Sequence, residues 1–172
     1  MLRPLLLRLL PALLAGMPLA SQEAQEYVAK VRLLEKIVSY VDWPAASSEA
    51  PFVLTVVGRT PFGDELENHF QGKLLKGRSV RIRYSKGPDD IGDCDLLFVC
   101  ASERDRLGSV LGRVRARPIL TLGDTPGYAA GGVMINLVRD GTRLTFEVNI
   151  TKAKESGLRM TAGFLKLSKV VE

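Results

Sequence analysis

Residues that commonly carry chemistry are scarce in this chain. Among 172 residues there are one histidine, two cysteines and one tryptophan, and aromatics make up 6%. The lone His69 sits beside Phe70, with no cysteine or acid at catalytic spacing, and reads as a surface or interface imidazole. Ser102 and Ser109 lack the G-x-S-x-G elbow that exposes a nucleophile. Aspartates and glutamates are scattered, with Asp89-Asp90 in a turn and no pair placed across a cleft. Gly58–Gly63 (GRTPFG) follows a strand-like run and precedes a helix, the position of a phosphate loop. It continues into Asp64 and Glu65, where such a loop needs Lys-Ser/Thr, and these acids repel phosphate from a helix N-terminus. No G-x-G-x-x-G is present. The expectation is a protein that is not an enzyme and uses neither cofactor nor metal.

Long hydrophobic runs are equally scarce, and the one present lies at the start. Leu5–Leu19 is leucine-rich, broken by Arg8, Pro11 and Pro18, preceded by Arg3 and followed by Ala20 and the polar Ser21–Glu26. This pattern predicts a cleaved export signal over residues 1–20, with cleavage near Ala20 or Ser21, and a periplasmic location. It is too short and interrupted to span a bilayer, and no cysteine stands nearby to carry a lipid. Residues 21–172 fit one domain large enough to bury a core without staples.

Charge of one sign is not concentrated. The chain carries +5 overall, two of those charges being Arg3 and Arg8, and the remainder is spread out, which argues against nucleic acid as a partner. Arg113, Arg115 and Arg117 cluster where a helix is predicted to end and complement its dipole. Cys94 and Cys100 flank the strand-like Asp95–Val99, which would separate them by roughly 20 Å. A disulfide needs less than about 7 Å, so the expectation is two small buried hydrophobes, with an intermolecular bridge left open.

Periodicity supplies the rest. Tyr27, Val31, Leu34, Val38 and Val41 recur at three-and-four spacing, predicting a helix over Ala24–Val41 that stops before Trp43-Pro44. Phe52–Val57 and Leu96–Val99 are continuous apolar runs, the mark of strands covered on both faces, and Ile119–Leu122 is a further strand. Val80–Tyr84 alternates, with Val80, Ile82 and Tyr84 facing one way and Arg81 and Arg83 the other. Thr60 can cap a helix over Phe62–Phe70, and Ser102 one whose Leu107, Val110, Leu111 and Val114 share a face. Val133–Val138 and Arg143–Ile150 flank Asp140-Gly141, a strong hairpin signal, with Leu144, Phe146 and Val148 on one face. Thr151–Glu155 is a helical turn stopped by Gly157. Thr161–Val171 is read as a closing helix with Phe164, Leu165 and Leu167 inward. Strands alternating with helices predict an α/β fold, a mostly parallel sheet with helices on its faces and an antiparallel hairpin in its C-terminal part.

Two places are candidates for recognition. The loop Gly123–Gly132 leaves the carboxyl end of a strand, where open α/β sheets bind ligands. Asp124 and Thr125 can anchor a polar ligand, Gly127, Gly131 and Gly132 permit close backbone approach, and Asn136 follows on the next strand. The competing reading is a shaped turn, with Asp124 bonded to its own backbone and the glycines supplying positive φ. Tyr40, Trp43 and Pro44, beside Phe52, form an apolar group that is either core packing or a partner-facing patch.

In order and spacing, YVDWP, FVLTVVGRTPFG, GRSVRIR and CDLLFVC resemble the YfiR/HmsC-like periplasmic proteins. The likeness is densest in ILTLGDTPGYAAGGVMINLV and RLTFEVNI, followed by SGLRMTAGFLKLSKVV, and it covers nearly all of residues 21–172. The resemblance implies a three-layer Rossmann-like fold, a periplasmic location and no catalysis. It further implies a regulator that binds the periplasmic domain of an inner-membrane diguanylate cyclase and holds it inactive, lowering cyclic-di-GMP and biofilm formation. An outer-membrane lipoprotein is then a candidate second partner, and a homodimer the expected assembly. Some relatives carry more cysteines, so redox control is not carried over. The alternative expectation is a small-molecule-binding sensor acting on another membrane signalling protein.

Overall fold

In a computed structural model of the chain, residues 19–44, 50–141 and 143–171 are described. The expected export signal lies almost wholly outside these residues. None of the described helices is long and apolar enough to cross a membrane.

The first helix, α1 (Leu19–Ser39), buries Val31, Leu34, Ile37 and Val38, the stripe its spacing predicts. It ends two residues before the predicted Val41 because Val41–Asp42 forms a short strand, β1, which pairs antiparallel with β9 (Arg159–Met160). The carbonyl of Tyr40 also accepts the Thr161 N–H at 3.0 Å. These tertiary bonds compete with the last helical turn and win.

The main sheet contains β2 (Phe52–Val57), β3 (Leu74–Leu75), β4 (Arg78–Ser85), β5 (Leu96–Val99), β6 (Leu120–Gly123), β7 (Ile135–Asp140), β8 (Arg143–Asn149) and β10 (Lys169–Val171). Their spatial order is β10-β8-β7-β6-β5-β2-β4-β3. From β4 to β7 neighbours run parallel, β7 and β8 form the antiparallel hairpin at Gly141, and β3 pairs antiparallel with β4 at the far edge. The mostly parallel α/β sheet with a C-terminal hairpin is therefore the architecture the alternation predicts.

Side-chain alternation explains the layers. Along β5, Leu96 and Phe98 belong to one apolar cluster, with α1, Leu66 and Phe70 of α2 (Glu65–Phe70), and Phe164 of α5 (Ala162–Lys166). Leu97 and Val99 belong to a second, with Val110 and Val114 of α3 (Leu107–Val114). A strand sandwiched this way must be apolar on both faces, which is why β2 and β5 read as uninterrupted hydrophobic runs. The Phe62, Phe98 and Tyr27 rings pack edge to face through the first cluster.

Several predicted details differ. The second helix starts at Glu65 instead of Phe62, because Thr60 Oγ1 accepts the Phe62 N–H in a local turn and does not cap the helix. Ser102 caps nothing either: residues Ala101–Arg106 form a 3-10 turn, and Ser102 Oγ accepts the Arg59 N–H at 2.9 Å. The predicted closing helix Thr161–Val171 is only Ala162–Lys166, and Lys169–Val171 joins β8 as a parallel edge strand. Phe164 is buried and Leu165 packs against the first cluster, but Leu167 is 67% exposed, contrary to the helical reading. On β4, Tyr84 is also outside the core, its hydroxyl donating to Glu67 at 2.7 Å.

Cys94 and Cys100 are free, the first half-buried and the second buried at the end of β5. Arg113 and Arg117, near the C-terminus of α3, pair with Asp89 and Asp93. A short helix, α4 (Ile150–Glu155), is capped by Asn149, whose Oδ1 accepts the Lys152 N–H at 3.0 Å.

Candidate functional site

The Gly123–Gly132 loop leaves the carboxyl end of β6 as expected, and its conformation is fixed by side chains from four other elements. Asn136, fully buried on β7, clamps Thr125 through both backbone groups: Oδ1 accepts the Thr125 N–H at 3.2 Å and Nδ2 donates to its carbonyl at 3.0 Å. Asn149 Nδ2 donates to the Ala129 carbonyl, and the Tyr128 hydroxyl donates to the Cys100 carbonyl at 2.9 Å. The Tyr128 ring lies so close to Gly123 that a Cβ there would fall 2.7 Å from its Cδ2. A Cβ on Gly131 would meet Leu107 Cδ2 of α3 at the same distance. The close approach that Gly131 allows is thus made by a side chain of this chain's own helix.

Asp124 does not bond its own backbone. Its carboxylate accepts from Lys30 Nζ of α1 at 2.7 Å, and Lys30 also pairs with Glu26, which in turn meets Arg139 of β7. The Lys30 ammonium stands 4.3 Å from the centre of the Tyr27 ring. Burial by itself would lower the Lys30 pKa, but bonds from Asp124 and Glu26 outweigh it and hold the group above its ordinary value. Burial likewise opposes ionisation of Glu26, yet Lys30 and Arg139 hold it below the usual carboxylate value. None of this was visible in the sequence, because Lys30 and Asp124 are 94 positions apart and Lys30 reads as one more polar residue on an amphipathic helix.

The expected ligand residues therefore do not converge. Asp124 and Gly127 border a cleft of about 340 Å³ that also takes in Lys30, Leu137, Arg139 and Glu147. Gly131 and Gly132 border a different cleft, about 320 Å³, between α3 and α4. Thr125 and Asn136 are buried, and the Thr125 hydroxyl has no hydrogen-bond partner among the described residues.

The apolar group near the end of α1 is largely used internally. The Tyr40 ring stacks on Phe164 with centroids 5.6 Å apart, and Trp43 meets Phe52 edge-on at 5.6 Å. Pro44 is exposed. Over the Phe52 ring, Arg78 binds Asp95 through both terminal nitrogens, at 2.8 and 2.9 Å, and donates to the Pro51 carbonyl at 2.6 Å. This fork ties the starts of β2, β4 and β5 together.

The topological switch point, where such sheets usually take ligands, lies between β2 and β5. Here it is plugged. Gly58, at φ +97°, gives way to Glu103, which is buried, bonded through Oε1 to Arg106 at 2.8 Å and without a partner at Oε2 among the described residues. Elsewhere, His69 contacts Glu35 at 2.6 Å and Lys73 at 3.1 Å on the outside of α1 and α2, remote from both clefts of the loop. Among the described residues no three histidines, cysteines or acids gather to hold a metal ion.

A mostly parallel α/β domain with its switch point filled defines the class: a Rossmann-like scaffold. Two solved structures share that fold at 12% identity, each covered over 60% of its length by 85% of this chain. One is an ABC domain in complex with L-Trp from Streptococcus pneumoniae, with a TM-score of 0.57. The other is a conserved domain protein from Vibrio cholerae, at 0.54. This chain thus spans less than two thirds of either, and the likeness is one of fold. The YfiR/HmsC-like family profile matches residues 27–169. The chain belongs to the YfiR/HmsC-like family, whose members are periplasmic regulatory domains linked to diguanylate cyclase signalling and not a known class of enzyme.

Proposed function

We propose that this protein is a non-catalytic periplasmic repressor that binds the periplasmic domain of an inner-membrane diguanylate cyclase, lowering cyclic-di-GMP and biofilm formation. The family match over residues 27–169 carries the reading. Repression of this kind requires only that the regulator bind the inactive arrangement of its partner more tightly than the active one. A homodimer, and release by an outer-membrane lipoprotein, belong to the same proposal. The exposed Pro44, at the rim of the half-buried Tyr40 and Trp43, is the part of the apolar group open to a partner. Deleting the gene tests the proposal: cyclic-di-GMP should rise and biofilm thicken. Unchanged cyclic-di-GMP in a strain with its membrane cyclases intact would overturn it.

A second reading, a small-molecule sensor acting on a membrane signalling protein, is favoured by one feature. The cleft beside Asp124 combines charges of both signs, Lys30 and Arg139 against Asp124 and Glu147, with the apolar Leu137 and Leu144. That combination suits a zwitterion with a hydrophobic tail, and the pneumococcal neighbour is described in complex with L-Trp. A thermal-shift screen of amino acids decides it, since a ligand at 100 times its dissociation constant adds about 2.7 kcal/mol. No shift with any of them removes this reading and leaves the first intact.

A further inference from the structure

One edge of the main sheet is open and long enough to be used. Strand β4 spans Arg78–Ser85, but its outer neighbour β3 pairs only with Arg78 and Ser79. On the inner side β2 pairs with Val80 through Ser85. The Ser85 carbonyl accepts the Gly58 N–H on that inner side, and backbone direction alternates along a strand. The N–H and C=O groups of Val80, Ile82 and Tyr84 therefore point outward, with no strand beside them among the described residues.

Two further features lie along this edge. A groove of about 670 Å³ runs between β4 and α2; Phe70, Leu74, Val80 and Ile82 form its apolar wall, and Glu67, Lys73 and Arg81 also border it. Leu74, 62% exposed, and Tyr84, 44% exposed, are large hydrophobic residues left in solvent at this edge. Strand alternation sets the side chains of Arg81 and Arg83 on the opposite face; Arg81 is exposed and without an ion pair among the described residues, and Arg83 donates to the Asp93 carbonyl at 3.2 Å.

An unpaired strand edge beside a groove with an apolar wall is the template for strand addition: main-chain bonds supply affinity and alternate side chains supply specificity. We propose that the outer edge of β4 receives an extended segment of another protein, in which apolar residues alternate with acidic ones. The apolar side chains enter the groove, and the carboxylates meet Arg81 and Arg83 on the other face. A second copy of this chain is a poor occupant, because pairing β4 with its own twofold mate sets these arginines against one another, and like charges across strands repel. The proposal stands apart from the cyclase reading and needs no cyclase in its test.

Amide hydrogen exchange of the intact protein tests it, with a short peptide alternating valine and glutamate as the probe. The amides of Ile82 and Tyr84 should gain protection, while a valine–lysine peptide and an alternately N-methylated valine–glutamate peptide give none. In Arg81→Glu/Arg83→Glu the preference should reverse, the glutamate peptide binding about tenfold more weakly and the lysine peptide gaining. Equal binding of both peptides, or binding without protection at Ile82 and Tyr84, would overturn the proposal. So would protection of those amides that grows with protein concentration in the absence of peptide, which assigns the edge to a second copy.

Discussion

Lys30 and Asp124 meet at 2.7 Å across 94 residues of chain, each side chain only 6% exposed. Removing one partner of a buried pair leaves the other charge uncompensated, at a cost of about 3–5 kcal/mol. Lys30→Met should therefore lower the urea midpoint sharply, and Lys30→Met/Asp124→Leu should recover much of the loss. Equal loss in the single and double variants would show that the pair does not hold the loop.

The pH dependence of this cluster has a definite sign. Glu26 titrates below its ordinary 4.5 in the folded chain. Its contribution is therefore complete above pH 4.5 and disappears as pH falls through the folded value. Lys30 titrates above its ordinary 10.5, so its contribution is intact below that pH and is lost as pH rises through the folded value. Glu26→Gln should be less stable than the parent at pH 7 by about 0.5–1 kcal/mol, and the difference should vanish in acid well below 4.5. Chemical denaturation across pH measures both limbs.

The cysteines are expected to be inert. Burial pushes the Cys94 thiol up to about 11 and the Cys100 thiol up to about 12, and only the thiolate is reactive. At neutral pH both should label with a thiol reagent only after denaturation, and a reductant should leave the melting temperature unchanged. Rapid labelling of the folded protein would contradict their burial.

Two glycines with positive φ separate a conformational cost from a packing cost. At Gly63, where φ is +53° and an added methyl would meet nothing within 4 Å, alanine should cost about 1–2 kcal/mol. At Gly58, φ +97°, the same methyl would fall 2.8 Å from Glu103 Oε1 and closer still to Ser102. Gly58→Ala should therefore cost clearly more than Gly63→Ala in thermal denaturation, because the carboxyl plug must also shift.

The segment after Gly157 offers a test at its two ends. Phe164→Ala removes a fully buried ring stacked on Tyr40 and packed against Phe146, and should cost about 3–5 kcal/mol. Leu167→Ala, at an exposed position, should change stability by less than about 0.5 kcal/mol. Comparable losses at the two positions would favour the longer helix that periodicity suggested.

That segment also marks where the sequence stopped being readable. Strands covered on both faces, β2 and β5, announce themselves because burial demands apolar side chains at every position. The hairpin around Gly141 does so through backbone chemistry. The two-residue strands β1 and β9 carry no pattern of their own and exist only by pairing with each other. Lys169–Val171 continues a helical spacing as easily as it forms a strand, and β8 decides the matter. For the loop, the glycines and the Asp-Thr-Pro-Gly turn were legible as a built feature. What they serve was not, since Lys30, Asn136 and Leu107 reach it from other elements, and the Glu103 plug reads in sequence as an ordinary helix-start acid.

The pairing of Val41–Asp42 with Arg159–Met160 also bears on the order of folding. The seat of the first helix is completed by residues far along the sequence, so an N-terminal fragment cannot finish it until Met160 is present. Contacts of such sequence separation slow folding, and a chain emerging N-terminus first can pack its first helix on β2, β5 and α2 well before the β1–β9 pair that closes it can form. Until then the end of the helix is held by side-chain packing alone, without the strand pair that stops it.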